Sequence, residues 1–165
     1  MNAPTTVATS VAPSTEQYCT FWVDGLFFGV AVDEVQEVIR HQPMTPVPRA
    51  HEAVHGLINL RGQIVTAVDL RVRLDLQERP ADRPPMNVIV RCAGEVVSLL
   101  VDDIGDVIDT SDRGGAAPVP PNLPGALRDV VREVRPLADA ILLVLDVDRA
   151  LDLTIHDTDT TGGTP

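Results

Sequence analysis

The sequence predicts an all-β fold with minor helix, arranged as a pair of similar lobes that are small barrels. Three observations lead to this prediction. Short runs rich in β-branched residues alternate with turn residues, and the chain contains an internal repeat. The hydrophobic fraction of 44% is enough for a core, which must be aliphatic because aromatic residues make up only 3%. Closing a sheet of short strands into a barrel leaves no edge open to aggregation.

The internal repeat consists of two blocks that recur in the same order. The segment WVDGLFFGVAVDEVQEVI from Trp22 aligns without a gap with RCAGEVVSLLVDDIGDVI from Arg91. The segment IVTAVDLRVRLDL from Ile64 aligns with ILLVLDVDRALDL from Ile141. A unit of roughly seventy residues is therefore duplicated. We expect a folded region at 16–155 with lobes at about 16–80 and 86–155, and the repeat allows strand exchange between them. Residues 1–15 and 156–165 carry too little apolar surface to fold, and we expect a disordered leader and tail.

Each lobe is predicted to open with a glycine-centred hairpin, at 18–32 in the first lobe and 88–101 in the second. An acidic and aliphatic segment follows, DEVQEVI or DDIGDVI, and a short turn leading into a strand suits both copies. The first copy also fits a capped helical turn with Asp33 as N-cap. Gly105 disfavours a long helix in the second copy.

Proline shapes the two long connections. The prolines at 43, 46 and 48 exclude a central strand at 43–48. Segment 111–125 contains four prolines and three glycines, so we predict an exposed connection. Each lobe then closes with a strand that ends at Asp69 or Asp146 and with a short helix at 70–76 or 148–153. The aspartates at 33, 69, 102 and 146 recur with the repeat and are expected to cap turns.

The segment GLINLRGQIVTAVDLR, from Gly56 to Arg71, carries the sharpest local signal. Two apolar runs are separated only by Arg61-Gly62-Gln63, and Gly62 can supply the positive φ that a tight reversal needs. The pattern predicts a hairpin with a single cation, Arg61, at its corner.

Composition excludes several classes of function. The net charge is −11 and all 13 basic residues are arginine, which argues against a nucleic-acid partner and rules out a lysine-based phosphate loop. No run approaches the ~20 apolar residues of a membrane span, and no secretion signal is evident. We therefore expect a cytoplasmic protein without direct membrane insertion. Cys19 and Cys92 lack CxxC spacing and are predicted to be buried free thiols.

One motif would imply catalysis. His51-Glu52-Ala53-Val54-His55 fits the HExxH pattern of zinc hydrolases, in which a helix presents two histidines to the metal and the glutamate acts as general base. Pro48 and Gly56 leave room for only about two helical turns, so we predict a solvent-facing short helix instead. We expect no enzymatic activity, no cofactor and no metal, with a zinc hydrolase as the minor alternative.

A binding module requires exposed apolar anchors beside fixed charges. The candidates are Arg61 at its corner, Val35 and Val38 after the first hairpin, and Ile104 and Val107 at the matching positions of the second repeat. Two alternatives stay open from the residues alone. The aliphatic side chains could pack the lobes together, and Arg61 could be a solvated turn residue or part of an internal salt bridge.

The same stretches carry a family resemblance. NLRG followed by an apolar strand and VDLR, together with VDEVQEVI, VSLLVDDIGDVI and ILLVLDVDRAL, resembles the CheW family of bacterial chemotaxis coupling proteins. The resemblance extends from Tyr18 to about Leu153 and includes the prolines before HEAVHGLINLRG. It implies two five-stranded SH3-like barrels around a hydrophobic core. The chain departs from the family pattern at Thr66, where proline is usual, and at 129–139, which lacks the usual glycines.

The function that this resemblance implies is that of a non-catalytic adaptor. Such proteins bridge the cytoplasmic tips of methyl-accepting chemoreceptors and the regulatory domain of a CheA-type histidine kinase, in the cytoplasm at membrane-associated receptor arrays. Carried over to this chain, the receptor groove between the lobes would use Val35, Glu37, Val38, Arg61, Gly62, Ile104 and Val107. Kinase contacts are expected in loops at the ends of the barrels. An SH3-like module for an unrelated signalling partner is the alternative.

Overall fold

The computed structural model describes residues 16–111 and 115–153 of the 165-residue chain. The strands are β1 (Gln17–Val23), β2 (Leu26–Ala31), β3 (Val35–Ile39), β4 (Val54–Leu60), β5 (Gln63–Asp69), β6 (Met86–Cys92), β7 (Glu95–Val101), β8 (Asp103–Asp109), β9 (Val131–Pro136) and β10 (Ile141–Leu145). The helices are α1 (Leu70–Arg73), α2 (Gly125–Val130) and α3 (Val147–Ala150), and a 3-10 turn spans Val32–Glu34.

These strands form two five-stranded sheets. The first sheet has the order β8-β1-β2-β10-β9 and the second has the order β3-β6-β7-β5-β4. Neighbouring strands are antiparallel except for the pairs β2·β10 and β5·β7, which are parallel. The predicted all-β fold with minor helix and two five-stranded lobes is therefore confirmed.

The two sheets do not coincide with the two halves of the sequence. The first sheet takes β1 and β2 from residues 16–80 but takes β8, β9 and β10 from residues 86–155. The second sheet combines β6 and β7 of the later half with β3, β4 and β5 of the earlier half. Each repeat thus gives its opening hairpin to the sheet that the other repeat completes. Strands are exchanged because the segment after each hairpin crosses to the other sheet. The predicted leader, 1–15, and tail, 156–165, lie outside the described residues.

Two-residue turns close the hairpins that the sequence predicted. Asp24-Gly25, Arg61-Gly62 and Ala93-Gly94 all have positive φ at both positions, which is the backbone of a turn whose twist matches the flanking strands. At the corner, φ is +54° at Arg61 and +90° at Gly62. Gly62 therefore meets the backbone requirement that its position in the sequence suggested.

The proline-rich loops each add a single bridge to a sheet edge. Thr45 exchanges both backbone hydrogen bonds with Leu57 of β4, at 2.9 and 2.8 Å, and Ala117 does the same with Val134 of β9, at 2.7 and 3.0 Å. Both bridging residues begin similar tetrapeptides, TPVP and APVP. Proline has no N–H to donate, so neither bridge extends into a ladder.

Helical segments are shorter than predicted, and one was missed. The helices expected at 70–76 and 148–153 are single turns, Leu70–Arg73 and Val147–Ala150. The helix Gly125–Val130, which starts where the predicted connection 111–125 ends, was not predicted. After the first hairpin the structure has the predicted short turn and strand. Thr66, where the family pattern has proline, lies within β5 and is paired with β4 on one side and β7 on the other.

The core has one shared part and two local parts. A central cluster joins the sheets, with Phe21 and Phe28 from the first and Val88 and Leu99 from the second, all buried. A smaller cluster around Tyr18, Leu142 and Val144 lies in the first sheet, and another around Ile58, Leu60, Val65 and Ile89 lies in the second. Because the largest cluster is shared, the two sheets are packed as one unit. Cys19 and Cys92 are only partly buried, which corrects the prediction of buried thiols.

Candidate binding surface

Arg61, at the turn between β4 and β5, forms a bidentate ion pair with Glu37, and we call this site the Arg61 corner. Arg61 Nη1 donates to Glu37 Oε2 at 2.6 Å, and Nη2 donates to Oε1 at 2.5 Å. Glu37 lies on β3 and Arg61 follows β4, and these two strands are the opposite edges of the second sheet. The pair therefore connects the two edges and curls the sheet towards a closed barrel.

The ion pair affects the charge state of both partners. The hydrogen bond from Arg61 lowers the pKa of the Glu37 carboxyl, and the bond to Glu37 raises the pKa of the Arg61 guanidinium. The Arg61 side chain is nevertheless 69% exposed. The corner thus presents a cation whose orientation is already fixed, which reduces the entropy lost when a partner binds it.

The predicted aliphatic residues occupy equivalent places on the edge strands β3 and β8. Val35 and Ile104 are partly buried and pack against the central core. Val38 and Val107 are 38% and 61% exposed. Val35 and Ile104 therefore pack within the protein, which was the alternative to a binding role. Val38 and Val107 instead present apolar surface to solvent.

The structure brings three of the seven predicted residues together at the corner. Glu37, Arg61 and the adjacent Gly62 form the corner at the edge of the second sheet. Val35 and Ile104 contact the same core cluster from different sheets. Because a β-bulge interrupts the pairing of β3 after Val35 and that of β8 after Ile104, the exposed valines follow an extra residue in each strand.

Sequence reasoning missed an exposed apolar residue beside the corner. Ile64 follows the Arg61-Gly62 turn and is 63% exposed. Its equivalent in the other repeat, Ile141, is also exposed. The signal was present in the alignment, because both repeats place isoleucine at the start of the strand.

An apolar groove on the first sheet was also missed. Its volume is about 330 Å³ and its lining includes Trp22, Phe27, Leu123, Leu127 and Ile141. The Trp22 and Phe27 rings face each other with centroids 4.5 Å apart. Because these two residues are paired across β1 and β2, the contact depends on strand register.

The prediction of a short helix at HEAVH is wrong. Residues 52 and 53 form a turn, and His55 lies in β4. The ladder with β5 determines this conformation, since the Asp69 N–H donates to the Ala53 carbonyl at 2.8 Å. His51 Nδ1 accepts from the Ala53 N–H at 3.0 Å. The helical spacing that HExxH chemistry needs is therefore absent at this segment. Among the described residues, no group of three or more His, Cys, Asp or Glu side chains is placed to hold a metal ion.

The recurring aspartates have different roles. Asp69 and Asp146 cap α1 and α3 by accepting from the backbone N–H groups of Arg71 and Arg149, as predicted. Asp102 accepts from the backbone N–H of Asp24 at 2.7 Å and also binds the side chains of two arginines. The residues around Asp102 form a buried ionic cluster that the sequence did not predict.

The fold and this surface define a class of protein. Two SH3-like sheets share one core, and their surface carries a bidentate ion pair and exposed aliphatic side chains, as in a small binding module. No helix in the described ranges is both long and apolar enough to cross a membrane.

Comparison with known proteins identifies the family. Residues 17–154 match the CheW-like domain, so the chain belongs to the CheW family, a scaffold family of bacterial chemotaxis. It is 30% identical to the chemotaxis protein CheW of Rhizobium meliloti over 73% of this chain and 77% of the relative. It is 23% identical to the chemotaxis protein CheW of Klebsiella aerogenes over 82% and 81% of the two chains. The crystal structure of scaffolding protein TtCheW from Thermoanaerobacter tengcongensis matches with a TM-score of 0.75 at 23% identity, covering 84% of this chain and 94% of that one.

Proposed function

We propose that this protein is a non-catalytic adaptor that couples the cytoplasmic tips of methyl-accepting chemoreceptors to the regulatory domain of a CheA-type histidine kinase. Membership of the CheW family supports the proposal. The proposal includes a location in the cytoplasm, with recruitment to membrane-associated receptor arrays.

The structural feature that best supports the proposed receptor contact is the Glu37–Arg61 corner with its apolar neighbours. Interface anchors are commonly arginine or large apolar side chains that become fully desolvated. Arg61 is held by two hydrogen bonds, and Ile64, which is 63% exposed, lies three residues further along the chain near the start of β5. A receptor helix with an apolar stripe and an acidic residue fits such a surface.

The proposed mechanism is mechanical. A shared core joins the two sheets, so a receptor bound at the edge strands and a kinase bound elsewhere are held at a fixed relative geometry. A small movement of the receptor can then bias the kinase between two states, provided that the receptor contacts differ between those states.

The test compares surface substitutions with matched controls. Arg61→Ala and Val38→Ala remove the charge and one apolar anchor, and we expect each to weaken binding of a receptor cytoplasmic fragment on the order of tenfold. Arg149→Ala is the control for Arg61, because the side chain of Arg149 is 60% exposed in a weaker ion pair. Val72→Ala is the control for Val38, because Val72 is 37% exposed.

Calorimetric titration with the receptor fragment gives the affinities, and thermal unfolding verifies that each variant is folded. Equal affinity for Arg61→Ala, Val38→Ala and the two controls would remove this corner from the receptor contact. If the wild-type protein binds neither the receptor fragment nor the kinase regulatory domain, the adaptor proposal itself fails. The alternative of an SH3-like module with another partner would then be favoured.

A further inference from the structure

Asp102 is the centre of a buried ionic cluster outside the proposed receptor surface. Its carboxylate receives Arg71 Nε and Nη2 at 3.0 and 2.6 Å and Arg79 Nε at 3.1 Å. Arg79 also binds Asp69, at 3.2 Å, and Arg71 lies 3.6 Å from the Asp24 carboxylate. The side chains of Asp69, Arg71, Arg79 and Asp102 are only 9–13% exposed. We call these four residues and Asp24 the interlobe cluster.

The interlobe cluster joins parts of the chain that belong to different sheets. Asp24 is in the β1–β2 turn of the first sheet, and Arg71 is in α1, which follows β5 of the second sheet. Asp102 lies between β7 and β8, where the chain crosses from the second sheet to the first, and its N–H donates to the Trp22 carbonyl at 2.9 Å. The cluster therefore fixes the crossing point itself.

The same arginine also holds the connection between the two repeats. Arg71 Nη1 donates to the backbone carbonyls of Gln77 and Glu78, at 3.0 and 3.2 Å. Arg79 adds its own side chain from that connection. The side-chain hydrogen bonds of Arg71 are thus made to Asp102 at the crossing point and to the connection that follows α1.

The other repeat serves as an internal control. By the repeat alignment, Asp33 corresponds to Asp102, Asp148 to Arg71 and Ala93 to Asp24. No arginine stands at these positions, and Asp148 instead accepts from the Cys92 thiol at 2.9 Å. At the crossing from β2 to β3 these three positions therefore do not supply an arginine. Asp146, the equivalent of Asp69, pairs instead with Arg132 and Arg149, both at 3.7 Å, and the side chains of these arginines are 47% and 60% exposed. Replacement of buried ion pairs by apolar residues is often neutral or stabilising, so the presence of such a cluster is weak evidence for a purely stabilising role.

We propose that Asp102 and Arg71 are positioning residues that set the start of β8 against the second sheet, and so fix where Ile104 and Val107 lie relative to β3. This proposal rests on the adaptor function, because it assigns the cluster a role in shaping the receptor surface. Asp102 directly precedes β8, and Ile104 is only two residues further on. Because so few residues separate them, a displacement of the backbone at Asp102 would also displace Ile104 and the receptor-facing side chains that follow it on β8.

The test uses two variants and two controls. Asp102→Asn removes the charge with little change of shape. The double variant Asp102→Asn/Arg71→Gln also removes the arginine charge, so that no buried charge is left unpaired. Asp103→Asn makes the same change of charge at the exposed neighbouring residue. Leu99→Ala, in the shared core, destabilises the protein without touching the cluster.

Hydrogen exchange and receptor titration provide independent measurements. In both cluster variants we expect amide exchange in β8 to become faster on the order of tenfold, with β3 unchanged. Receptor affinity should fall on the order of fivefold, and that loss should disappear in a Val107→Ala background because the effect acts through β8. Asp103→Asn should behave as wild type, and Leu99→Ala should speed exchange throughout the core.

The outcomes separate the two proposals. Normal receptor binding by the wild type together with unchanged β8 exchange in both cluster variants would overturn the positioning role. Faster exchange spread evenly over all strands would also overturn it, because the cluster would then be a general stabilising element. Failure of the wild-type protein to bind the receptor fragment would refute the adaptor function, and exchange in β8 would still report on the cluster.

Discussion

Replacing Gly105 by alanine tests how closely β8 is seated on β1. A β-carbon at Gly105 would overlap Thr20 Oγ1 and lie 3.4 Å from Thr20 Cβ. The Thr20 hydroxyl donates to the backbone carbonyl of Asp106 at 2.5 Å, so it cannot rotate away without giving up this hydrogen bond. Thr20 is buried, and no solvent is close by to replace the bond.

The expected cost has three contributions. Crowding a methyl group into a packed site costs about 1–3 kcal/mol, and the lost hydrogen bond costs about 1 kcal/mol. Alanine regains roughly 0.5–1 kcal/mol because glycine loses more conformational entropy when a strand forms. We therefore expect the free energy of unfolding to fall by about 2 kcal/mol.

A double-mutant cycle measured by urea denaturation tests this value. In a Thr20→Ala background the overlapping oxygen is gone, so most of the cost of Gly105→Ala should vanish. Gly125→Ala is the control, since a β-carbon there meets nothing within 4 Å. A fall of less than about 0.5 kcal/mol, or an equal fall in the Thr20→Ala background, would refute the close seating of β8 on Thr20.

Two further predictions concern titrating groups. Burial, followed by the hydrogen bond to Asp148, raises the pKa of the Cys92 thiol to about 11, so in a Cys19→Ser background alkylation at pH 8 should be slow and should accelerate in Asp148→Asn. Equal alkylation rates with and without Asp148 would contradict this. Burial opposes the charged form of Asp102, but hydrogen bonds from Arg71, the Asp24 N–H and Arg79 outweigh it and lower the pKa of its carboxyl. The stabilisation is therefore present above the ordinary aspartate pKa and is lost as pH falls through the lowered value, so the difference in Tm between wild type and Asp102→Asn should hold from about pH 5 to 7 and shrink below about pH 4. A constant difference down to pH 2 would contradict this.

The local elements were predictable because their signals are local. Glycine-centred turns, β-branched runs and the repeat located the hairpins and the strands that follow them. The assignment of strands to sheets was not predictable in the same way, because an internal repeat shows which strands are equivalent but not which ones pair. That choice depends on contacts such as β2 with β10, which are more than a hundred residues apart in the chain.

On the candidate surface, too, the local features were predictable from the sequence and the long-range contacts were not. Arg61 and Gly62 could be placed at a corner from NLRG alone, whereas the partner of Arg61 is Glu37, 24 residues earlier. The error at HEAVH has a related cause. The histidine spacing suggested a helix, but pairing of β4 with a buried neighbour, β5, determined the backbone. Tertiary pairing overrides weak local preference in short segments.

The exchange of hairpins between the repeats also constrains how the chain can fold during synthesis. The β1–β2 hairpin is made first, yet its neighbours in the sheet are β8 and β10. The first sheet can therefore not be completed until β9 and β10, near the end of the chain, have left the ribosome. Pairings of such long sequence separation slow folding, and truncation before β10 would leave the earliest hairpin without one of its two neighbours.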